Sequence, residues 1–556
     1  MKTQVQLSFK LASEALQHGG KTQGAQLLQR ILDKYNDNLP PEIDAFALLR
    51  CTARLLISAV SEPSTVDEEL LSRLCGIYKS AALSTRKYHN GQGQDSQCLL
   101  QECKWFEKTG YNTAVQNLKS WPVRYLIDLL HYSCHIQYPV NAPQGAHREK
   151  LIHDINSNYI QAILYTAQAR SVSPLSTKED LPKTSYSGKP PPCSLADIKL
   201  TLYRNVFNRY TQVDRLVNTF HESSASIPAT EGVVESIRRK QLVLAPLAFE
   251  ALLFMQCSNT RDGTEQGSSM VDELSFKHIF DQTMALSPPQ KTYSIFADMI
   301  LAAGTGNHST SSDPGLLGPP MLPVSTTVNL LIKLITGLKT HPSYDAAQAT
   351  KWMRCMVQVV LDQLDMGATV EAGKGPSPDS ADVATVDLTI SETHCMKNLG
   401  ILAMLTDHAL LFARSFDTYP AEELQWLATT LFNLAIDIYV ASPSSSSSLS
   451  ASASGSAPRF QGGTARSETG EHGGTESEGI GVTRPETWAK RAVEFADVLG
   501  LKQKGSQNRN QHQNQDQYLE RSTPPTARAR AIGGHEEVTG LARTLRERCQ
   551  RFKWVV

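Results

Sequence analysis

Apolar residues return at intervals of three and four along most of this chain. In Glu42-Ile43-Asp44-Ala45-Phe46-Ala47-Leu48-Leu49-Arg50-Cys51-Thr52-Ala53-Arg54-Leu55-Leu56 they gather on one face of a helix, and no comparable stretch alternates with a period of two. The pattern predicts an all-α fold. Helices are expected at about 4–18, 22–35, 41–60, 66–82, 99–118, 122–138, 148–169, 194–219, 231–256, 270–285, 326–338, 343–366, 391–415, 420–441, 485–499 and 538–553. Many are separated by only a few residues, which makes neighbours antiparallel pairs.

The first pair fits the tetratricopeptide template in part. Leu11-Ala12, Ala15, Gly19, Gly24, Leu28 and Ile31 stand where that repeat places its small and apolar contacts and its turn glycine, but Ser8 stands where its aromatic belongs. The expected architecture is a tetratricopeptide-like helical-repeat solenoid with disordered inserts. Polar tracts at 171–192, 258–269, 304–320 and 367–381 interrupt the helices. Two longer ones, 442–482 with its serine run and 503–534 with its Gln and Asn, have the composition of disorder. The division expected is N-terminal repeats over 1–169, a linker at 170–193, a helical region at 194–441, an insert at 442–482 and a C-terminal hairpin over 483–556 carrying the polar insert. Thr483-Arg484-Pro485-Glu486 reads as a helix start with Thr as its cap, and Trp488, Ala489, Ala492, Phe495 and Ala496 give the following helix one apolar face. That helix and 420–441 then form a hairpin whose turn has swollen by about 40 residues, which loop-closure entropy penalises weakly.

Composition narrows the function classes. The 556 residues are 40% hydrophobic and 20% charged with a net charge of −1, whereas a nucleic-acid binder usually needs a basic face. No direct sequence-specific nucleic acid partner is expected. The ten cysteines lie mostly in apolar helical segments such as Leu48-Leu49-Arg50-Cys51 and Trp352-Met353-Arg354-Cys355, the distribution of reduced, buried thiols in an intracellular protein. Met1 to Gln17 lacks the unbroken apolar run of a signal peptide, and Gln241 to Met255 contains Pro246 and Glu250 and is too short to span a bilayer. No membrane partner is expected.

Chemistry is sparse. Gly20-Lys21-Thr22 has the tail of a P-loop, but Ala15 stands where its first glycine belongs and a helix precedes it in place of a strand. His131 and His135 share a helix face beside Cys134, with Asp128 one turn earlier, and lack the further ligand a metal site needs. Asp407-His408 has no activated nucleophile beside it. The serine run reads as a spacer in preference to a phosphorylated switch. No enzyme, cofactor, metal or small-molecule substrate is expected.

One pattern occurs twice, as Trp-x-x-x-Thr-x-aromatic-Asn-x-Ala. It runs from Trp105 through Tyr111-Asn112 to Ala114 and from Trp426 through Phe432-Asn433 to Ala435, with Glu102 or Glu423 three residues before the Trp. On a helical wheel the Trp, Thr and Asn lie within about 60° of each other, with the aromatic and Ala opposite. Each helix is therefore expected to be sandwiched between neighbours. Its Asn either pins a helix end from a buried position or reads a partner's backbone beside the aromatic.

The segment Tyr419 to Tyr439, including Trp426, Phe432-Asn433 and Asp437, resembles the fungal meiosis and sporulation scaffold family: sporulation-protein-twenty-two, Zip-four-like, with testis-expressed-eleven as a relative. Trp488-Ala-Lys-Arg-Ala492, the closing Leu545 to Trp554, and Glu102 to Tyr138 with Ser120-Trp121-Pro122 resemble it too. The resemblance implies a non-enzymatic solenoid in the nucleus, on meiotic chromosomes, whose protein partners belong to the crossover-promoting (ZMM) group and the synaptonemal complex. It places partner binding at Trp426, Phe432, Asn433 and Asp437, with Trp105, Tyr111 and Asn112 as the second candidate. Members of that family are often longer at the N-terminus, and the inserts at 442–482 and 503–534 lengthen loops the family keeps short. The alternatives are a generic tetratricopeptide adaptor, which usually shows a Lys/Arg ladder, and the helical regulatory region of a fungal transcription factor, which usually accompanies a six-cysteine zinc cluster.

Overall fold

The computed structural model describes residues 45–60, 67–89, 96–172, 195–223, 230–259, 269–305, 322–339, 341, 345–372, 384–416, 419–441, 484–518 and 533–554, with scattered positions before residue 31. These residues form helices and no strand, so the fold is all-α. In chain order the helices are α1 (Ala45–Val60), α2 (Glu68–His89), α3 (Ser96–Gln116), α4 (Val123–Cys134), α5 (Gln144–Ser171), α6 (Leu195–Ser223), α7 (Glu231–Asn259) and α8 (Ser269–Ala285). There follow α9 (Gln290–Thr305), α10 (Val324–Lys339), α11 (Ala346–Ala372), α12 (Ala384–Ser415), α13 (Ala421–Ala441), α14 (Pro485–Tyr518) and α15 (Gly533–Arg551).

Local signals set these boundaries. Asp67 accepts the N–H groups of Glu69 and Leu70 at 2.9 and 3.3 Å, and Asp345 does the same for Ala347 and Gln348 at 3.0 and 3.3 Å. Pro485 opens α14, where a missing N–H costs nothing, so the cap position falls to Arg484; Thr483 lies outside the described residues. In α1 the buried Phe46, Leu48, Leu49, Thr52, Ala53, Leu56 and Val60 follow the sequence periodicity. The face expected on α14 is likewise buried, at Trp488, Ala489, Ala492, Phe495 and Ala496.

The chain divides into two compact units, residues 1–292 with 307–320 and residues 293–306 with 321–556. Packing does not break at 170–193, because α5 and α6 lie against each other and α7 packs on both. Within each unit the packed pairs join a helix to the next or the next but one.

Each unit contains the same four-helix block. In α1–α4 and in α11–α14 the first helix packs on the second and third, and the fourth packs on the second and third. The registers agree as well. Arg50-Cys51 of α1 matches Arg354-Cys355 of α11, and the buried Leu48, Leu49, Thr52, Ala53 and Leu56 match the buried Trp352, Met353, Met356, Val357 and Val360. In the second helices Ile77, Tyr78, Ala81, Ala82 and Thr85 match Asn398, Leu399, Leu402, Ala403 and Thr406, all buried. Thr85 and Thr406 each donate to the carbonyl three residues back, Ala82 and Ala403, at 2.8 Å.

The sequence expectations need several corrections. Helix α9 was not expected, and Gly304, read as loop, closes it. Its backbone lies so close to α10 that a Cβ there would meet Thr327 at 2.6 Å. Residues 503–518 of the supposed disordered insert continue α14, and 367–372 continue α11. Of the eight cysteines whose side chains are described, Cys51, Cys98, Cys355 and Cys395 are exposed, so the buried-thiol reading holds only for some. Helix α13 is long and apolar enough to cross a membrane, yet it packs on α11 and α14. The tetratricopeptide fit at Leu11 to Ile31 and the Gly20-Lys21-Thr22 tail lie largely outside the described residues, as do 173–194, 306–321 and 442–483.

Gly110 gives the block comparison a test. Alanine usually favours a helix over glycine by about 1 kcal/mol, but a Cβ here would sit 2.6 Å from the Tyr78 ring and 3.1 Å from the Ser133 Cβ. The second block carries Leu399 and Leu431 at these places, two medium side chains for a large and a small one. Gly110→Ala should therefore lower the urea midpoint of unfolding by overpacking, at about 1–3 kcal/mol. Adding Tyr78→Leu should recover part of the loss, since the Tyr78 hydroxyl is buried without a partner and gives up no hydrogen bond.

Candidate partner-binding site

In both blocks the first and third helices are joined by the same polar contacts. Arg50 donates to Glu102 at 2.6 Å, and the Arg54 guanidinium lies 5.3 Å over the Trp105 ring. In the second block Arg354 does both tasks, 4.6 Å over Trp426 and 3.6 Å from Glu423. A Glu and a Trp three apart share one helix face, so one neighbouring helix can address both. Glu102 and Glu423 are mostly buried, so desolvation offsets part of each ion pair's attraction, and the cation–π contacts contribute only about 0.5–1 kcal/mol each. Their main effect is to fix the orientation of a half-buried indole.

The Asn residues are not the buried helix-end pins that one of the two readings expects. Asn112 and Asn433 are both exposed, and neither has a hydrogen-bond partner within the described chain. The wheel places Trp and Asn on one stripe correctly, but that stripe runs along the rim of the helix packing. The buried-Asn reading is overturned, whereas each helix does pack between neighbours, on the first and on the fourth helix of its block. Asp437 is exposed, and Trp426 is half-buried beneath Arg354.

The aromatics face inward. Tyr111 is half-buried, edge-on to His153 at 5.2 Å. Phe432 is 1% exposed and packs 6.0 Å from Trp554, whose ring stacks on Phe552 at 4.7 Å. Tyr439 closes this cluster, 5.4 Å from Phe552. A helix end delivers Trp554 to it: Lys553 is left-handed at φ 57°, Trp554 N–H donates to Cys549 O and Lys553 N–H to Gln550 O, both at 3.0 Å. This is a Schellman turn with Lys where glycine is usual. Of the C-terminal candidates, Asn433 and Asp437 are therefore presented to solvent and Phe432 belongs to the core.

The first block also carries a buried polar feature that the second lacks. Cys103 and Glu107 occupy the places of the apolar Leu424 and Ala428. Glu107 accepts from the Tyr138 hydroxyl, and Lys150 reaches Glu107 at 3.4 Å, Asp154 at 2.9 Å and the Cys134 carbonyl at 3.1 Å. These contacts hold the irregular segment 135–143, with Thr85 Oγ1 accepting Gln137 N–H at 3.1 Å and the Cys103 thiol 3.4 Å from Gln137 O. Burial is the main influence on Glu107 and pushes its carboxyl up to about 7, against the opposing pull of Lys150.

Nearby, the His131 and His135 rings are 4.2 Å apart, but Arg209 lies 3.3 Å from His131 Nδ1. Burial first, then His135, Arg209 and Arg86, hold His131 at about 4. A guanidinium stands where a metal would need a ligand, and no cluster of three metal-ligating side chains occurs among the described residues. Asp407 pairs with Arg491 at 2.9 Å.

These contacts define the class of protein, an all-α chain built around a repeated four-helix block with exposed polar rims. Compared with known proteins, the chain matches no family model and no curated protein.

Glu107 supplies a pH prediction. Its folded value lies above the ordinary carboxyl value of 4.5, so its contribution to stability is greatest below pH 4.5 and is lost as pH rises through about 7. Between pH 5 and pH 8 the stability difference between Glu107→Gln and the parent should shift by roughly 2 kcal/mol in favour of Gln. Urea denaturation at the two pH values measures it, and a constant difference would show that burial does not dominate at this carboxyl.

Proposed function

We propose that the chain is a non-enzymatic, tetratricopeptide-like helical scaffold of the nucleus that acts on meiotic chromosomes. It promotes crossover formation and synaptonemal complex assembly by binding proteins of the crossover-promoting group and of that complex. The reading is carried by the rim of α13, where Asn433 and Asp437 are exposed beside a Trp held in place by Arg354. A buried polar group is explained by its internal partner. Asn433 has none, so its amide is free for a partner's backbone. The solenoid is supported by packing that runs from each helix only to the next or next but one, since repeat arrays build their cores between near neighbours.

Asn433→Gln should leave helicity and the unfolding midpoint unchanged while weakening co-purification of synaptonemal complex components from meiotic cells at least several-fold. Phe432→Ala should instead cost about 3–5 kcal/mol of stability through the cavity beside Trp554. Unchanged co-purification with Asn433→Gln would remove the site. Constitutive transcription, together with normal crossover numbers in a deletion strain, would remove the meiotic reading altogether.

A further inference from the structure

The geometry points to a second docking surface, the exposed face shared by α1 and α3, whose occupant is an extended acidic segment of a partner protein. The inference rests on the scaffold reading only in treating the chain as a binder of proteins, and it adds the chemistry of one bound segment.

Comparison of the two blocks shows which surface residues persist while the core changes. Tyr78 and Gly110 become Leu399 and Leu431, and Cys103 and Glu107 become Leu424 and Ala428. A core tolerates such exchanges as long as its volume and pattern are kept. The Trp and the exposed Asn nevertheless stand in both blocks, and Asn112 makes no bond within the described chain. Folding gives no reason to keep it. A contact outside the chain does.

Charge identifies the partner. Helix α1 has no acidic residue, and on α3 Glu102 is occupied by Arg50. Arg54 and Lys108 are exposed cations with no carboxylate partner among the described residues, and they flank the half-buried Trp105. The second block has Gln358 and Thr429 at their places. The two cations are thus a property of the first block alone. Arg54 lies over the indole, which fixes its position while leaving donors for a carboxylate.

The free amide of Asn112 favours an extended segment. Along α3, Lys108 and Asn112 stand about 4.5 and 10.5 Å beyond Trp105, and an extended chain repeats its side chains on one face about every 6.6–7 Å. Four or five residues lying along α3 therefore cover the site. The Asn112 amide, donor and acceptor together, matches a peptide group left free in an extended chain. In a helical partner those groups are already bonded to one another.

Fluorescence anisotropy tests this with the full chain and a dye-labelled octapeptide alternating Glu and Val, against a counterpart alternating Lys and Val. The acidic peptide should bind, more weakly as salt rises, and the basic one should not. Arg54→Glu and Lys108→Glu should each weaken binding at least tenfold and Asn112→Ala at least threefold, with Lys490→Glu, at an exposed lysine of α14, leaving it unchanged. Lys108→Gln should act in the same direction, so a misfolded charge reversal does not decide the matter. Equal binding of the basic peptide, indifference to both cations, or no binding of the acidic peptide at millimolar concentration would overturn the inference. None of these outcomes touches the meiotic reading, which stands or falls on Asn433 and the deletion strain.

Discussion

The side-by-side packing of the first and third helices of each block is the constraint on which the other features depend. A single helix with one apolar stripe cannot bury it alone, and in both units the stripe is covered by the next helix and the next but one. Once α1 lies on α3, and α11 on α13, the Glu and Trp three residues apart necessarily face the same neighbour. An arginine from that neighbour can then pair with one and cover the other. The apolar burial supplies the free energy, and the arginine contacts set the register in which it is spent.

That division explains why much of the fold is legible in the sequence. Spacing by three and four reveals α1 directly, and Trp488 to Ala496 reveals the buried face of α14. Helix α9 escapes because Ser287-Pro288-Pro289 and Gly304-Thr305-Gly306 read as loop punctuation at both ends. Its buried Tyr293, Phe296, Ala297, Ile300 and Ala303 carry the same period as the rest. Residues 503–518 escape for the opposite reason. Gln, Lys and Arg are good helix formers without an apolar stripe, so composition alone assigns them to disorder while the backbone continues α14.

The candidate site is legible only as angles. A wheel fixes Trp, Thr and Asn relative to one another and leaves open which stripe is inside. The decisive information sits on another helix, in Arg50-Cys51 and Arg354-Cys355. Both dipeptides are visible in the sequence, yet without a fold nothing connects them to the Trp helices. Their equal placement turns a ten-residue coincidence into a duplicated block.

Duplication also bears on how the buried polar group at Glu107 should be understood. The second block builds the same helix arrangement with Leu424 and Ala428, so neither the carboxylate nor its lysine is needed for that arrangement. Buried ion pairs often contribute no more than an apolar replacement would, because desolvation offsets their attraction. What the first block has in addition is the segment 135–143, which Tyr138, Gln137 and the Cys134 carbonyl tie to Glu107, Thr85 and Lys150. A Leu at position 103 and an Ala at 107 could pack the helices, but they would offer no acceptor for Tyr138. The network is therefore best understood as fixing the path from α4 to α5, an irregular connection with few backbone hydrogen bonds of its own to hold it.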